Sequence, residues 1–214
     1  SMSTLTEQTT SKRIQTKNWD IHYHEAGQGH PVVLVHGGGP GATGWSNFHP
    51  NIETLAQQFR VLALDLPGWG RSQAVNYERR DNSGAIGEFL DTLGIDKAAL
   101  VGNSMGGSSC IRLAYERPEL VTHLVTLGSS SGTPGLFEAG GLTEGVKALE
   151  AAYFQPGPET MRKFIATMAF DTRYVTDEFI AVRVKAAVAR PGHLEGWKTR
   201  HRKPMVRIDQ TKLA

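Results

Sequence analysis

Four short apolar runs recur along the first part of the chain, separated by spacers of helix length. Continuous runs of this length predict strands that are buried on both faces of a sheet. The runs are Val32–Val35, Val61–Leu64, Ala98–Val101 and Leu124–Leu127. Between them, apolar residues spaced i, i+3, i+4 and i+7 predict helices that pack on the sheet. The two helical sets are Ile52, Leu55, Ala56 and Phe59, and Ile86, Phe89, Leu90 and Leu93.

The alternation of strand and helix signals predicts an α/β fold with a doubly wound, mostly parallel sheet. Two upstream segments, Lys12–Gln15 and Asp20–Glu25, alternate between apolar and polar residues instead. This alternation predicts an antiparallel hairpin that leads into the sheet.

The pattern changes from about Gly132, where strand-like runs stop and helical periodicity begins. One apolar helical stripe in this part consists of Met161, Phe164, Ile165 and Met168. We predict a core over residues 11–131, a helical cap over 132–200 and a return toward the core over 201–214. The stripe is expected to lie mainly in the interior of the cap, although some of its members could roof a pocket.

Composition narrows the class of protein. With 214 residues, of which 39% are hydrophobic and 21% charged, the chain is expected to form one domain with a substantial core. The formal net charge of +2 gives no reason to expect nucleic acid or a membrane as a partner. Cys110 is the only cysteine, which excludes an internal disulfide and a cysteine metal cluster. No segment resembles a signal peptide or a membrane span, so a cytoplasmic protein is the default expectation.

The segment Gly102-Asn103-Ser104-Met105-Gly106 follows the third apolar run and precedes a helix-like stretch. This is the sequence form of a nucleophile elbow, in which a sharp strand-to-helix turn exposes the central serine. The small residues two positions before and after the serine let neighbouring backbone approach the turn. Ser104 is therefore the candidate nucleophile. Because a serine hydroxyl is a poor nucleophile at neutral pH, it needs a base and donors that hold the oxyanion.

A glycine-rich segment, His36–Gly41, follows the first apolar run. A loop in this place supplies one oxyanion-hole amide in α/β-hydrolases, and the residue after the nucleophile, here Met105, supplies the other. Glycine-rich loops also bind phosphate at helix N-termini, but this segment matches neither the dinucleotide-binding nor the Walker lysine pattern. The loop and the elbow together favour a hydrolase over a nucleotide-binding protein.

Three motifs in this order carry a more specific resemblance. They are His36-Gly37-Gly38-Gly39-Pro40-Gly41-Ala42 with Trp45-Ser46-Asn47, then Asp65-Leu66-Pro67-Gly68-Trp69-Gly70-Arg71-Ser72, then Gly102-Asn103-Ser104-Met105-Gly106-Gly107. Together they resemble the meta-cleavage-product hydrolases, α/β-hydrolases of bacterial aromatic-ring degradation that cleave a carbon–carbon bond in a vinylogous 1,5-diketone. The similarity runs from about Lys12 to the end of the predicted cap and includes Arg183.

The resemblance implies a serine-type hydrolase with a small-molecule keto acid as substrate and no metal or organic cofactor. It implies roles for eight residues: the nucleophile Ser104, the oxyanion-hole residues Gly38 and Met105, and the substrate-binding residues Gly37, Gly39, Asn47, Asn103 and Arg183. Arg183 suits a carboxylate because a guanidinium can form two parallel hydrogen bonds, although a solvated helix arginine is the alternative. His22 and His24 are expected at the surface rather than as metal ligands.

One part of the family pattern has no match in this sequence. In that family the triad acid and histidine follow later strands, and no matching segment stands after Trp197. We expect a C-terminally truncated hydrolase, impaired on its own, whose sheet edge near Val121–Leu127 is open to a complementing chain or a homo-oligomer. An esterase or lactonase on the same scaffold, or a non-catalytic remnant that binds acidic ligands, are the alternatives. The basic stretch from Lys198 to Arg207 is expected to be solvated rather than to contact nucleic acid.

Overall fold

A computed structural model describes residues 5–129, 144–169 and 171–199. Its strands are β1 (Ser11–Gln15), β2 (Asp20–Ala26), β3 (His30–Val35), β4 (Phe59–Leu64), β5 (Ala98–Asn103) and β6 (Val121–Leu127). Its helices are α1 (Glu7–Thr10), α2 (Gly44–Ala56), α3 (Asn82–Thr92), α4 (Met105–Glu116), α5 (Glu144–Phe154), α6 (Pro158–Met168), α7 (Asp177–Val188) and α8 (Pro191–Lys198). Short 3-10 turns lie at Tyr77–Arg79, Pro118–Leu120 and Thr172–Tyr174.

The six strands form one sheet in the order β1-β2-β4-β3-β5-β6. Strand β2 pairs antiparallel with β1 and β4, whereas the pairs β3–β4, β3–β5 and β5–β6 are parallel. The predicted hairpin and the predicted mostly parallel, doubly wound sheet are therefore confirmed. The chain passes from β3 to β4 on one side and then crosses to β5 on the other. The carboxyl end of β3 is thus the switch point at which open α/β sheets bind ligands.

Helices cover both faces of the central strands. Val33 and Val35 of β3 belong to the core shared with α3 and α4, whereas Val32 and Leu34 belong to the core shared with α2. Successive residues of a strand point to opposite faces, so the continuous apolar run fills both layers. Cys110 lies buried in α4. No helix in the described ranges is long and apolar enough to cross a bilayer.

Two details of the sequence prediction are wrong. Strand β6 is the last strand of the described sheet, which agrees with the expected open edge, but the prediction that its run is buried on both faces is wrong, since Leu124, Val125 and Leu127 are 37%, 49% and 51% exposed. An apolar run shows that a strand forms, but it does not show that other elements cover both of its faces. The helical stripe that ended at Phe59 is also too long, since α2 ends at Ala56 and Phe59 begins β4.

Helix α8 packs on α5 and α7, and helices α5 to α7 share a small core of their own. Its buried members are Ala148, Ala152, Met161, Phe164, Ile180 and Ala187. The predicted helix with the Met161 stripe is confirmed, although Met168 at its end is 59% exposed. The predicted boundary at 131/132 and the predicted return over 201–214 lie outside the described residues.

Candidate active site

Ser104 lies at the corner where β5 turns into α4. Its backbone dihedrals are φ 51° and ψ −117°, and it is the only non-glycine residue with positive φ in the described ranges. A Cβ placed on Gly102 would lie 2.5 Å from the Cα of Gly107, and one on Gly106 would overlap the carbonyl oxygen of Val35. The turn is therefore both strained and tightly packed, which is why it needs glycines on either side.

The hydroxyl of Ser104 is not used to hold the turn together. Ser104 occupies the N-cap of α4, but its side chain makes no capping hydrogen bond. The backbone groups of Ser104 hold the corner instead. The Ser104 amide donates to the Leu127 carbonyl at 2.7 Å, and the Ser104 carbonyl accepts from the Ser129 hydroxyl at 2.9 Å. The half-buried hydroxyl is thus positioned by a rigid backbone and can meet a ligand.

The glycine loop after β3 packs against this corner. A Cβ on Gly37 would lie 3.6 Å from the Ser104 Cβ, and one on Gly38 would lie 3.5 Å from the Met105 sulfur. The Met105 amide belongs to the first turn of α4, where helix geometry leaves amides without intrahelical partners. The two loops predicted to form an oxyanion hole therefore meet at the switch point of the sheet.

His36 anchors the glycine loop, a role that the sequence did not reveal. Its Nδ1 lies 2.7 Å from the Gly37 carbonyl, and its Nε2 accepts the Leu66 amide at 3.0 Å. These partners assign the proton to Nδ1, and burial lowers the pKa of His36, so the ring is neutral. The neutral ring links the loop after β3 to the loop after β4 and fixes their spacing.

Two asparagines join the glycine loop to the elbow. The Asn47 side-chain oxygen accepts the Gly37 amide at 3.0 Å and the Asn103 side-chain amide at 3.0 Å. Asn47 stands in the first turns of α2, and Asn103 ends β5. One oxygen therefore fixes both segments, and the remaining polar atoms of the two amides are available to a ligand.

Arg183 reaches the site from α7. Its Nε donates to the Pro40 carbonyl at 2.8 Å, which holds the guanidinium against the glycine loop. Burial lowers the pKa of Arg183 to about 10, so the side chain stays charged at pH 7. No described carboxylate forms an ion pair with it. The prediction of a substrate-facing arginine fits this geometry better than the alternative of a solvated one.

All eight predicted site residues line one cavity of about 770 Å³ between the sheet and helices α5 to α8. The sequence missed its aromatic and second cationic wall, which consists of Trp69, Tyr77, Arg80, Tyr153 and Trp197. Trp69 stands in a motif used for the resemblance, which was the only signal for any of these five. The others lie on separate loops and helices that only the fold brings together.

The cavity wall lacks a general base within the described ranges. No histidine, aspartate or glutamate of those ranges lines it. His193 lies outside it and directs its Nε2 to the Gly70 carbonyl at 2.7 Å. The base that Ser104 needs is therefore not among the described residues.

The expectation that His22 and His24 lie at the surface is wrong. Both are buried, at 4% and 2% exposure, and their rings are 4.9 Å apart. His22 Nδ1 lies 2.9 Å from the Asp65 carboxylate, and His24 Nδ1 lies 2.9 Å from the Thr10 hydroxyl. The described residues contain no group of three or more side chains arranged to hold a metal ion. The two histidines of β2 instead form a buried hydrogen-bonded cluster with Asp65 and Thr10.

Comparison with known proteins places this geometry in a family. The α/β hydrolase fold family matches residues 30–155. A 2-hydroxy-6-oxononadienedioate/2-hydroxy-6-oxononatrienedioate hydrolase of Burkholderia vietnamiensis is 40% identical over 201 residues, which cover 90% of this chain and 69% of that protein. A 2-hydroxy-6-oxo-6-phenylhexa-2,4-dienoate hydrolase of Burkholderia cepacia is 38% identical over 205 residues, covering 92% and 71%.

Comparison with solved structures gives the same family as the sequence relatives. A meta-cleavage product hydrolase from Pseudomonas fluorescens superposes with a TM-score of 0.82 at 29% identity, covering 96% of this chain and 76% of that one. A 2-hydroxy-6-oxo-6-phenylhexa-2,4-dienoate hydrolase from a Rhodococcus strain superposes with a TM-score of 0.77 at 28% identity, covering 94% and 75%. The chain therefore belongs to the α/β-hydrolase fold family and, within it, to the meta-cleavage product hydrolases.

Proposed function

We propose that this chain is a serine-type hydrolase that cleaves a carbon–carbon bond in a 2-hydroxy-6-oxo-dienoate ring-fission product of aromatic degradation. One observation carries the proposal. A single cavity combines the strained Ser104, the amides of Gly38 and Met105, and the charged Arg183. An ester hydrolase needs the first three, whereas a keto acid substrate also needs a cation for its carboxylate.

The cavity suggests how the substrate lies. The carboxylate of the dienol binds to Arg183, Asn47 and Asn103, which line the same cavity, and this places the distant ketone near Ser104. Once the dienol has ketonised, addition at the ketone carbon puts negative charge on its oxygen. The amides of Gly38 and Met105 stabilise that charge.

The carbon–carbon bond then breaks, and its electron pair passes to the dienoate fragment, which leaves as a 2-hydroxydienoate. Water supplies the hydroxyl of the carboxylic acid that forms from the acyl fragment and the proton of the dienoate. If water adds directly, the intermediate before this cleavage is a gem-diol. If Ser104 adds, the cleavage leaves an acyl ester on Ser104, which water then hydrolyses. Either route balances without a metal or an organic cofactor.

Three further features belong to the same proposal. The helices α5 to α8 act as a cap over the cavity, and the general base comes from outside the described residues. The exposed strand β6 supports a strand of another chain, or of a second copy, pairing beside it. A single, buried cysteine suits a reducing compartment, and we place the protein in the cytoplasm.

Size-exclusion chromatography tests the pairing of another strand beside β6. A stable monomer with β6 uncovered would contradict that pairing.

The test is the disappearance of dienoate absorbance on mixing with a 2-hydroxy-6-oxo-dienoate. We expect the wild-type chain to consume it and Ser104→Ala to lose most of that activity, while Ser108→Ala, one turn further along α4, keeps it. An aryl ester is assayed in parallel. If the chain hydrolyses the ester and leaves the dienoate intact, the carbon–carbon assignment is wrong and the esterase alternative holds.

A further inference from the structure

A second serine, outside the cavity, lies next to a histidine and an aspartate. Ser11 is the first residue of β1, and its Oγ lies 2.6 Å from Nε2 of His22 on the neighbouring strand β2. On the other side of the ring, His22 Nδ1 lies 2.9 Å from the carboxylate of Asp65. A hydroxyl, an imidazole and a carboxylate joined in this order are the arrangement by which serine hydrolases activate a nucleophile. None of the three residues lines the cavity that contains Ser104.

The carboxylate of Asp65 decides which nitrogen of the His22 ring carries the proton. Burial opposes the charge of this carboxylate, but hydrogen bonds from His22 and from the amides of Arg71 and Gly44 lower the pKa of Asp65 below its usual range. An ionised carboxylate only accepts hydrogen bonds, so Nδ1 of His22 carries a proton, and Nε2 is an acceptor when the ring is neutral. The Ser11 hydroxyl then donates to Nε2, which is the orientation that a general base requires.

The neighbours of His22 hold its ring in this place. The His22 amide donates to the Ser72 hydroxyl at 2.9 Å, and that hydroxyl donates to the Asp65 carbonyl at 2.6 Å. The ring of His24 packs edge-on against the ring of His22, with centroids 4.9 Å apart. His22 and Asp65 are 4% and 2% exposed, so water competes little for the bond between them. The base is therefore positioned before any reagent arrives.

Ser11, unlike its two partners, is partly exposed. It stands on β1, which is the first strand in the sheet order and pairs with β2 alone among the described strands. A small reagent can therefore approach Ser11 from the surface, without entering the cavity between the sheet and the cap.

We propose that Ser11 is a second nucleophilic serine, which His22 and Asp65 activate toward small activated esters independently of Ser104. The Ser11 oxygen forms a bond to the acyl carbon of the ester while its proton passes to Nε2 of His22. The bond from the acyl carbon to the leaving oxygen then breaks, and the leaving group takes that proton. The products are an ester on Ser11 and a free alcohol or phenol.

The oxyanion that forms in this step limits the expected rate. At Ser104 the donors for it are the amides of Gly38 and Met105, which belong to the cavity and do not serve Ser11. Removal of one such donor slows serine hydrolases about 10²- to 10³-fold. We therefore expect one acylation per chain, followed by slow release, rather than rapid turnover.

Labelling of the full chain with an alkyl fluorophosphonate tests the proposal. Phosphorus then takes the place of the acyl carbon, fluoride leaves, and the proton of Ser11 passes through His22 to solvent. The Ser104→Ala chain is used so that the cavity serine cannot react. Intact mass spectrometry should show one phosphonyl adduct, and peptide mapping should place it on Ser11. Ser46 is an internal control for exposure: it is the more exposed serine, its hydroxyl donates to the Thr43 carbonyl, and it should stay unlabelled.

Variants in the same background separate activation by the histidine from other effects. Ser11→Ala should remove the adduct. His22→Gln should slow labelling at Ser11 about 100-fold or more, since a general base contributes about 10²- to 10⁴-fold. His24→Gln is the matched control, because it removes the neighbouring buried histidine, whose Nδ1 contacts Thr10 rather than Ser11. It should leave the labelling rate nearly unchanged, and circular dichroism and thermal melting verify that each variant is folded.

The outcomes are distinguishable. If Ser11 is labelled no faster than Ser46, or if His22→Gln leaves the rate at Ser11 unchanged, the second nucleophile is refuted and the three side chains form only a structural hydrogen-bond network. If His22→Gln does not fold, the comparison of Ser11 with Ser46 in the folded Ser104→Ala chain decides. Labelling at Ser11 does not depend on dienoate turnover, so the proposed function and this inference can fail separately.

Discussion

The strain at Ser104 makes a prediction about stability that does not depend on catalysis. Its dihedrals, φ 51° and ψ −117°, suit glycine and penalise any residue with a Cβ. Ser104→Ala keeps this penalty, whereas Ser104→Gly removes it. Strain of this kind costs about 1–3 kcal/mol. The greater freedom of glycine in the unfolded chain offsets about 0.4–1 kcal/mol of the stability that is gained when the strain is removed. We expect the glycine variant to be the more stable of the two by about 0.5–2 kcal/mol.

Urea unfolding followed by tryptophan fluorescence measures this difference. With a slope of about 2 kcal/mol/M, the unfolding midpoint of Ser104→Gly should lie about 0.2–1 M above that of Ser104→Ala. Ser108 offers a control, because it stands one turn later in α4 with helical backbone. There, glycine should be less stable than alanine by about 1 kcal/mol, so the sign reverses. If the Ser104 pair follows the same order as the Ser108 pair, the strain argument is refuted.

Three further predictions concern the surroundings of the site. Burial lowers the pKa of His24 to about 4, so only the unfolded chain binds its proton between about pH 6.5 and 4. The free energy of unfolding should therefore fall as the pH drops through that range, and His24→Gln should flatten the fall in urea titrations at several pH values. Asn47→Ala leaves the Gly37 amide without its acceptor, and a loss of about 1–3 kcal/mol in thermal melting is expected; an unchanged melting temperature would refute that role. Gly106→Ala should destabilise by about 1–3 kcal/mol or more, because its Cβ would overlap strand backbone. Gly87→Ala in α3, where the nearest atom is 3.4 Å away, should be neutral or stabilising, and equal losses in both would contradict the packing argument.

The wrong details of the sequence interpretation share a physical cause. Periodicity describes what a segment can bury, but not what lies beside it. The apolar run of β6 forms a strand, yet its neighbours leave Leu124, Val125 and Leu127 partly exposed. His22 and His24 alternate in the manner of solvent-facing residues on a half-exposed strand. The carboxylate of Asp65 and the hydroxyl of Thr10 give them buried partners that no local pattern reveals.

The sequence by itself determined the order of strands and helices, the corner at Ser104 and the glycine loop that meets it. These follow from local rules, since a strained turn needs small neighbours and a buried strand needs continuous apolar residues. The site residues named from resemblance also lie together, because they follow strands whose carboxyl ends share one edge of the sheet.

Only the tertiary structure decided the far wall of the cavity. Arg80, Tyr153 and Trp197 stand far apart in sequence. They line the same cavity only because α5 and α8 pack against the loop after β4. The same holds for the burial of His36 and the neutral state that follows from it. The pKa of a side chain depends on its burial and on charges that elements distant in sequence bring close to it. The local sequence does not show which elements those are.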